Sequence, residues 1–437
     1  MKMHYFTIFG LLILCIACGQ TDMLESEQTA NIANNRLISL QDAENNLTQI
    51  FEAIENSETR SENKFKRPIV SNSYSCTLPQ HVTRSDEDLA TTQIHIINFE
   101  NEEGYAIMSG DASLPDMLAL SFEGNIQSID SLYANDGVDL WLESIADYYI
   151  DNSIESTSRD LNIDDRTEII RTVTKEVIFQ DMINDGCSVK WGQSPAQYLY
   201  NGISYNYYTP LYNGVETPTG CIATAIAQLM SIYGSPNAYD GYLFDWEAMT
   251  SMPLITQLQY SENKLQIAKL LYYIGLEENV DATYKPNNLG GTSAVLNFAP
   301  RTFENFGYSN GGTHYSQVTN QDIIKELKKG YPILIRGGID EDNSKGHAWL
   351  AHGLMTITTT ETEMTTNPIE TYITTATSYY VKNNWGLHGS YDGYYLVGNY
   401  DTTKGAEYDD DGVKLADGET FDYNFKYDNE AILGIRK

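Results

Sequence analysis

An α+β chain of two folded units is what the sequence predicts, on three observations. Its 437 residues exceed what one ordinary core supports. Helical and strand-like periodicities fill two blocks, separated by a charged stretch at 151–186 that shows little strand patterning. The second block then runs from a helix-led half into a strand-rich half. Composition narrows the class further. With 32 tyrosines and only a fifth of its residues charged, the chain is not globally disordered. A net charge of −33 excludes nucleic acid as a partner, because a phosphate backbone needs clustered Lys and Arg. The same charge disfavours adsorption to anionic membranes.

In chain order, Lys2 precedes an apolar run over 5–17, too short to span a bilayer but suited to the core of an export signal. Ile16-Ala17-Cys18 resembles the end of a bacterial lipobox, although Cys15 stands where Leu is usual. Residues 1–17 are thus expected to be a lipoprotein-type signal peptide, with Cys18 lipidated; plain secretion is the alternative. Asp22, Glu25 and Glu27 resemble surface-export signals of some Bacteroidota. The expected address is the bacterial cell envelope, as an outer-membrane lipoprotein, or the medium after processing. Membrane contact would run through the lipid alone, by way of a flexible tether at 18–36.

From 37 to 54, Leu40, Ala43, Leu47, Ile50, Phe51 and Ile54 recur at helical spacing. Residues 57–92 are charged and Ser/Thr-rich, predicting a loop with short strands. Residues 94–99 and 104–108 predict paired strands, 117–121 another, and 126–154 a mostly helical stretch. This unit ends near 155. The segment 156–186 predicts a connecting, protease-accessible linker or a surface helix over 163–178. Beyond it, 187–437 predicts helices at 222–233, 265–274 and 321–329, each closed by glycine. Strands follow at 332–338, 347–354, 379–384, 392–397 and 431–435. A Thr-rich stretch at 356–378, flanking Asn367-Pro368, predicts an exposed hairpin.

Removing Cys15 with the signal and Cys18 to lipid leaves Cys76, Cys187 and Cys221. Cys76 and Cys187 have the option of pairing, which nothing in the sequence demands. An odd thiol in an exported protein flags a reactive one. There is no C-x-x-C and no metal-ligand spacing, and no cofactor is implied. Cys221 follows Pro218-Thr219-Gly220 and opens the helix carrying Ile222, Ala225, Ile226, Leu229, Met230 and Tyr233. Unpaired N–H groups and the helix dipole at such a start favour a thiolate; a small buried core cysteine is the alternative.

A Cys nucleophile needs a base, an orienter for that base and donors for the oxyanion. Of seven histidines, His4 leaves with the signal, and His81 and His95 lie in the first unit. Among His314, His347, His352 and His388, His347 stands at the mouth of a strand and suits the base. His352, on the opposite strand face, suits a structural role. Lys382-Asn383-Asn384-Trp385-Gly386 supplies an amide beside an indole that would shield it. Lys190-Trp191-Gly192-Gln193 offers a donor amide beside a glycine.

Four segments resemble, in order, the streptopain family of papain-like bacterial cysteine peptidases. They are Trp191-Gly192-Gln193, Thr219-Gly220-Cys221 with Ala223-Thr224-Ala225-Ile226-Ala227-Gln228, Gly346-His347-Ala348 and Asn384-Trp385-Gly386. Gly104-Tyr105-Ala106-Ile107-Met108-Ser109-Gly110-Asp111 resembles the family's inhibitory propeptide. The resemblance implies a papain-like catalytic domain at 187–437, a smaller α+β propeptide domain at 37–155 and an activation segment at 156–186. It implies Cys221 as nucleophile, His347 as general base and acid, Gln193 as oxyanion donor, Asn384 as orienter of His347, and Trp385 as its cover. Protein or peptide substrates and the chain's own propeptide are then its partners. His352-Gly353 stands where the family usually has Asp-Gly, and Leu387 where it usually has a second Trp. A catalytically silent surface-binding lipoprotein and a transglutaminase-like acyl transferase are the rival readings; intact Cys221, His347, Gln193 and Asn384 disfavour the first, and the propeptide resemblance the second.

Overall fold

A computed structural model of the chain describes residues 37–57, 65–78, 93–112, 114–133, 169–194, 202–338, 346–366, 369–397 and 427–437, together with 137, 138, 141, 142 and 145. The leader, Cys18 and the tether lie outside the described residues. Among these residues no helix is long and apolar enough to cross a membrane.

The first unit begins with helix α1 (Leu40–Ser57), whose apolar stripe Ala43, Leu47, Ile50, Phe51 and Ile54 is buried as its spacing predicts. Strands β1 (Val70–Thr77), β2 (Gln93–Phe99), β3 (Tyr105–Ser109) and β4 (Met117–Ser121) form an antiparallel meander. A short helix, α2 (Ile129–Tyr133), follows, and then helical residues at 137, 138, 141, 142 and 145.

The segment expected to be a linker carries an 11-residue strand, β5 (Ile169–Phe179). It pairs along the outer half of β10 (Gly346–Thr366), from Met355↔Phe179 to Thr365↔Ile169. Its Lys175 reaches back to the first unit, where Asp116 takes both an ion pair from Lys175 and a hydrogen bond from Asn46 at 3.1 Å. Strand rather than surface helix follows because Val177, with 0% exposure, needs the partner that β10 and α1 provide.

The second unit opens on helix α3 (Cys221–Tyr233), then the small ribbon β6 (Ala238–Tyr239) and β7 (Tyr242–Leu243). Helices α4 (Trp246–Met249), α5 (Ser261–Ile274), α6 (Ala299–Asn305) and α7 (Asn320–Leu327) follow, with β8 (Thr313–Tyr315) between the last two. Strand β9 (Ile333–Gly338) leads to β10, which returns as β11 (Ile369–Asn384); the Thr-rich stretch is the outer part of this one long hairpin. Strands β12 (Gly393–Leu396) and β13 (Tyr427–Leu433) complete the sheet.

All strands except β6 and β7 join one sheet, in the order β1-β2-β3-β4-β12-β11-β10-β9-β13-β8, with β5 on β10. The two units share this sheet through β4 and β12 (Tyr394↔Leu120, Tyr395↔Ala119). Alternation along β9 and β10 then splits the interior. Ile333, Ile335, Trp349 and Ala351 pack with the first unit, whereas Leu334, Ala348 and Leu350 face α3 and α5. The α+β class read from the sequence is the one observed.

Candidate active site

Gly220, at φ +90°, turns the chain into α3, and a Cβ there would lie 3.2 Å from Thr292. No side chain caps the helix start, so its first N–H groups have no side-chain capping partner. The turn is held from behind: Thr224 donates through N and Oγ1 to the Gly220 carbonyl, at 3.1 and 3.0 Å. Cys221, half-buried, is therefore fixed at the positive end of a 13-residue helix.

His347, the second residue of β10, sits opposite Gly337 and is 2% exposed. Burial would push the Cys221 thiol up, but the hydrogen bond and charge of His347, with the Ala348 backbone and Arg336, outweigh it and bring it below the ordinary range. The other thiols behave oppositely. Cys76 and Cys187 are free, and burial raises each to about 11. Only Cys221, among the described thiols, has the character of a nucleophile.

His347 Nε2 meets the backbone carbonyl of Trp385 at 2.7 Å. This corrects the expected role of the Asn384 side chain, which does not bond His347. Asn384 Oδ1 accepts from Gln228 Nε2 at 2.7 Å and from Gly386 N at 3.1 Å; its Nδ2 donates to Val189 O at 2.8 Å. The carboxamide is drawn inward because buried Gln228 and Val189 need partners there. Its link to His347 is indirect. The Gly386 N–H that it accepts and the Trp385 carbonyl that His347 meets belong to one peptide group.

Trp385 is fully buried, its ring 5.0 Å from Trp349 and 5.2 Å from Tyr395. Its Nε1 donates to Tyr391 O at 3.1 Å and its backbone N to Asp392 Oδ1 at 3.0 Å. Burial raises that Asp392 carboxyl to about 7, against the Trp385 hydrogen bond and the charges of Lys190 and Lys382. Gln193 is half-buried, and its carbonyl accepts from Thr219 N at 2.8 Å, which moors it two residues from Cys221. His352 is structural: its Nδ1 accepts from Cys187 N at 3.0 Å, and burial, then Lys382, holds it well below the usual histidine range.

The first unit bears directly on this site. A Cβ at Gly137 would lie 2.2 Å from the Trp385 ring and 3.0 Å from His347 Cδ2. Ser121 Oγ donates to Asp392 O at 2.7 Å, Tyr380 OH to Met117 O at 2.8 Å, and Tyr105 and Tyr395 share a hydrogen bond at 3.0 Å. Glu123 pairs with Lys190. Sequence reasoning missed Gly137, Gln228 and Asp392 as parts of the site. For Asp392 a signal was present: a lone carboxylate beside the aromatic run Tyr394-Tyr395.

A helix opened by a lowered-pKa cysteine, a buried histidine presented by an antiparallel sheet, and a leading domain packed against that histidine define a cysteine peptidase in zymogen form. Two family models agree. The Peptidase C10 family matches residues 199–395, and the Spi protease inhibitor family matches residues 26–149. By these two matches the chain is similar to the streptopain family of cysteine peptidases, and its first unit to a protease-inhibitor propeptide. Streptopain of Streptococcus pyogenes serotype M1 is 23% identical over 307 residues, spanning 61% of this chain and 69% of that protein. A prointerpain A fragment from Prevotella intermedia aligns over 84% of this chain and 99% of its own, at 19% identity and a TM-score of 0.49. Active interpain A of the same organism covers 58% and 94%, at 19% identity and a TM-score of 0.37.

Proposed function

We propose that the chain is an exported, lipid-anchored cysteine endopeptidase, with Cys221 as nucleophile and His347 as general base and acid. The observation that carries this reading is the hydrogen bond between His347 and a Cys221 thiol of lowered pKa at an uncapped helix start. With Nε2 on the Trp385 carbonyl, Nδ1 is the ring nitrogen for the thiol. The Cys221 thiolate attacks the scissile carbonyl, and the oxyanion is met by the Cys221 N–H and the Gln193 amide. A donor of this kind is worth about 3 kcal/mol of barrier. The His347 imidazolium then protonates the leaving amine; water, deprotonated by His347, hydrolyses the thioester and restores the thiol. Proton transfer of this kind contributes about 10²–10⁴-fold.

In this reading residues 37–155 inhibit, cleavage within 156–186 activates, and 187–437 catalyse. A cut before β5 leaves that strand on β10 and a mature form of about 30 kDa; a cut after it gives about 28 kDa. Cys18 and the leader supply the anchor to the envelope. The test is incubation of the wild-type precursor and Cys221→Ala with an unfolded protein under reducing conditions. Wild type is expected to convert itself and degrade the substrate, and Cys221→Ala to do neither. Equal substrate loss with both forms would refute the assignment and favour a silent binding protein.

A further inference from the structure

Gln228 lies two turns along α3 from Cys221 and is fully buried. Its Nε2 donates both to the Trp191 carbonyl at 2.9 Å and to Asn384 Oδ1 at 2.7 Å, while its Oε1 is buried without a partner. A single amide on the nucleophile's own helix thus ties together two otherwise separate segments. One is Trp191-Gly192-Gln193, which carries the donor amide. The other is Asn384-Trp385-Gly386, which carries the carbonyl on His347.

We propose that Gln228 is a positioning residue for His347, acting through Asn384 and the Trp385–Gly386 peptide. Asn384 Oδ1 has two donors, Gln228 Nε2 and Gly386 N–H. Gln228 fixes the carboxamide so that Oδ1 points at Gly386. The Gly386 N–H then sets the plane of its peptide, and the carbonyl of that peptide faces His347 Nε2 at 2.7 Å. Gly386, at φ +72°, is the residue that lets the chain turn away immediately afterwards. The uncompensated Oε1 is a cost that a packing role does not explain, since an apolar side chain of equal length would fill the space without it. What an apolar side chain lacks is the pair of donors.

The proposal rests on the Cys221–His347 reading above, and the test separates the two. The full-length chain is prepared as wild type, Gln228→Met and Gln228→Glu. The rate of Cys221 alkylation by iodoacetamide is measured from pH 5 to 10, with near-UV circular dichroism reporting the folded fraction. Of the charged groups, Arg336 on β9 acts on the Cys221 thiol, while Asp392, which takes the Trp385 N–H, has Lys190 and Lys382 around it; all are retained. Wild type is expected to react at lower pH than an ordinary thiol, as a thiolate held by His347 does. Both variants are expected to lose about tenfold in rate near pH 6 and to keep the wild-type rate within about twofold near pH 10, where a thiol ionises unaided. An unchanged pH profile in either folded variant overturns the proposal, as does failure of both variants to fold, which makes Gln228 structural. A wild-type profile like that of an ordinary thiol refutes the underlying Cys–His reading instead.

Discussion

Latency should be broken by one methyl group at Gly137. Its Cβ would stand 2.2 and 2.8 Å from two carbons of the Trp385 ring and 3.0 Å from His347 Cδ2, where carbon–carbon contact settles near 3.5–4.0 Å. The rings cannot retreat. Trp385 is closed in by Trp349 and Tyr395, and Tyr395 by Trp141 at 4.8 Å. The propeptide must back away instead, and overpacking of this kind costs about 1–3 kcal/mol. If the closed form dominates, the open fraction rises by the matching factor, about 5- to 150-fold. Gly137→Ala is therefore expected to speed both Cys221 alkylation in the full-length chain and the onset of peptidase activity by that range. A folded Gly137→Ala precursor whose alkylation rate stays within twofold of wild type would refute the claim that this contact keeps the site closed.

Two further outcomes follow from the buried polar groups. Asn384→Ala is expected to cost about 1–3 kcal/mol, because it strands Gln228, Val189 O and the Gly386 N–H; denaturant unfolding measures it, and kcat should fall with it. His352, neutral when folded and ordinary when unfolded, should make stability fall as pH drops below 6.5, by about 1.4 kcal/mol per unit; His352→Asn, which keeps an acceptor for Cys187 N–H, should flatten that slope between pH 6.5 and 5.

The parts of this molecule that were legible in the sequence are those where one residue type does the work. Cys221 at a helix start and His347 at a strand mouth are chemically singular, and the α1 stripe obeys a local period that its burial confirms, whereas α3 is buried on almost every face. What escaped depends on backbone or on distant partners. The group on His347 is the carbonyl of Trp385, and a carbonyl leaves no trace in a sequence; Asn384 was the nearest side chain that could stand in for it. Strand β5 escaped for a related reason. In Ile169–Phe179 most side chains are exposed, so no buried face marks the strand, and its state is decided by β10, nearly two hundred residues later. The joining of the two units through Leu120 and Tyr394 is a property of two sheet edges, neither of which announces its partner.

That joining bears on how inhibition and catalysis are coupled. The stretch 385–395 supplies the carbonyl for His347, the carboxylate for Trp385 N–H and the ring that closes over Trp385. The propeptide grips the same stretch through Ser121 on the Asp392 carbonyl, through the strand pair at Tyr394 and Tyr395, and through the Tyr105–Tyr395 hydrogen bond. An inhibitor that merely filled the cleft would leave this framework unchanged on departure. Here release of the propeptide uncovers β12 as a sheet edge, frees Lys190 from Glu123, and leaves the Asp392 carboxylate to Lys190 and Lys382. The inhibitor therefore holds the backbone element that His347 bonds, and its removal would change the surroundings of that element.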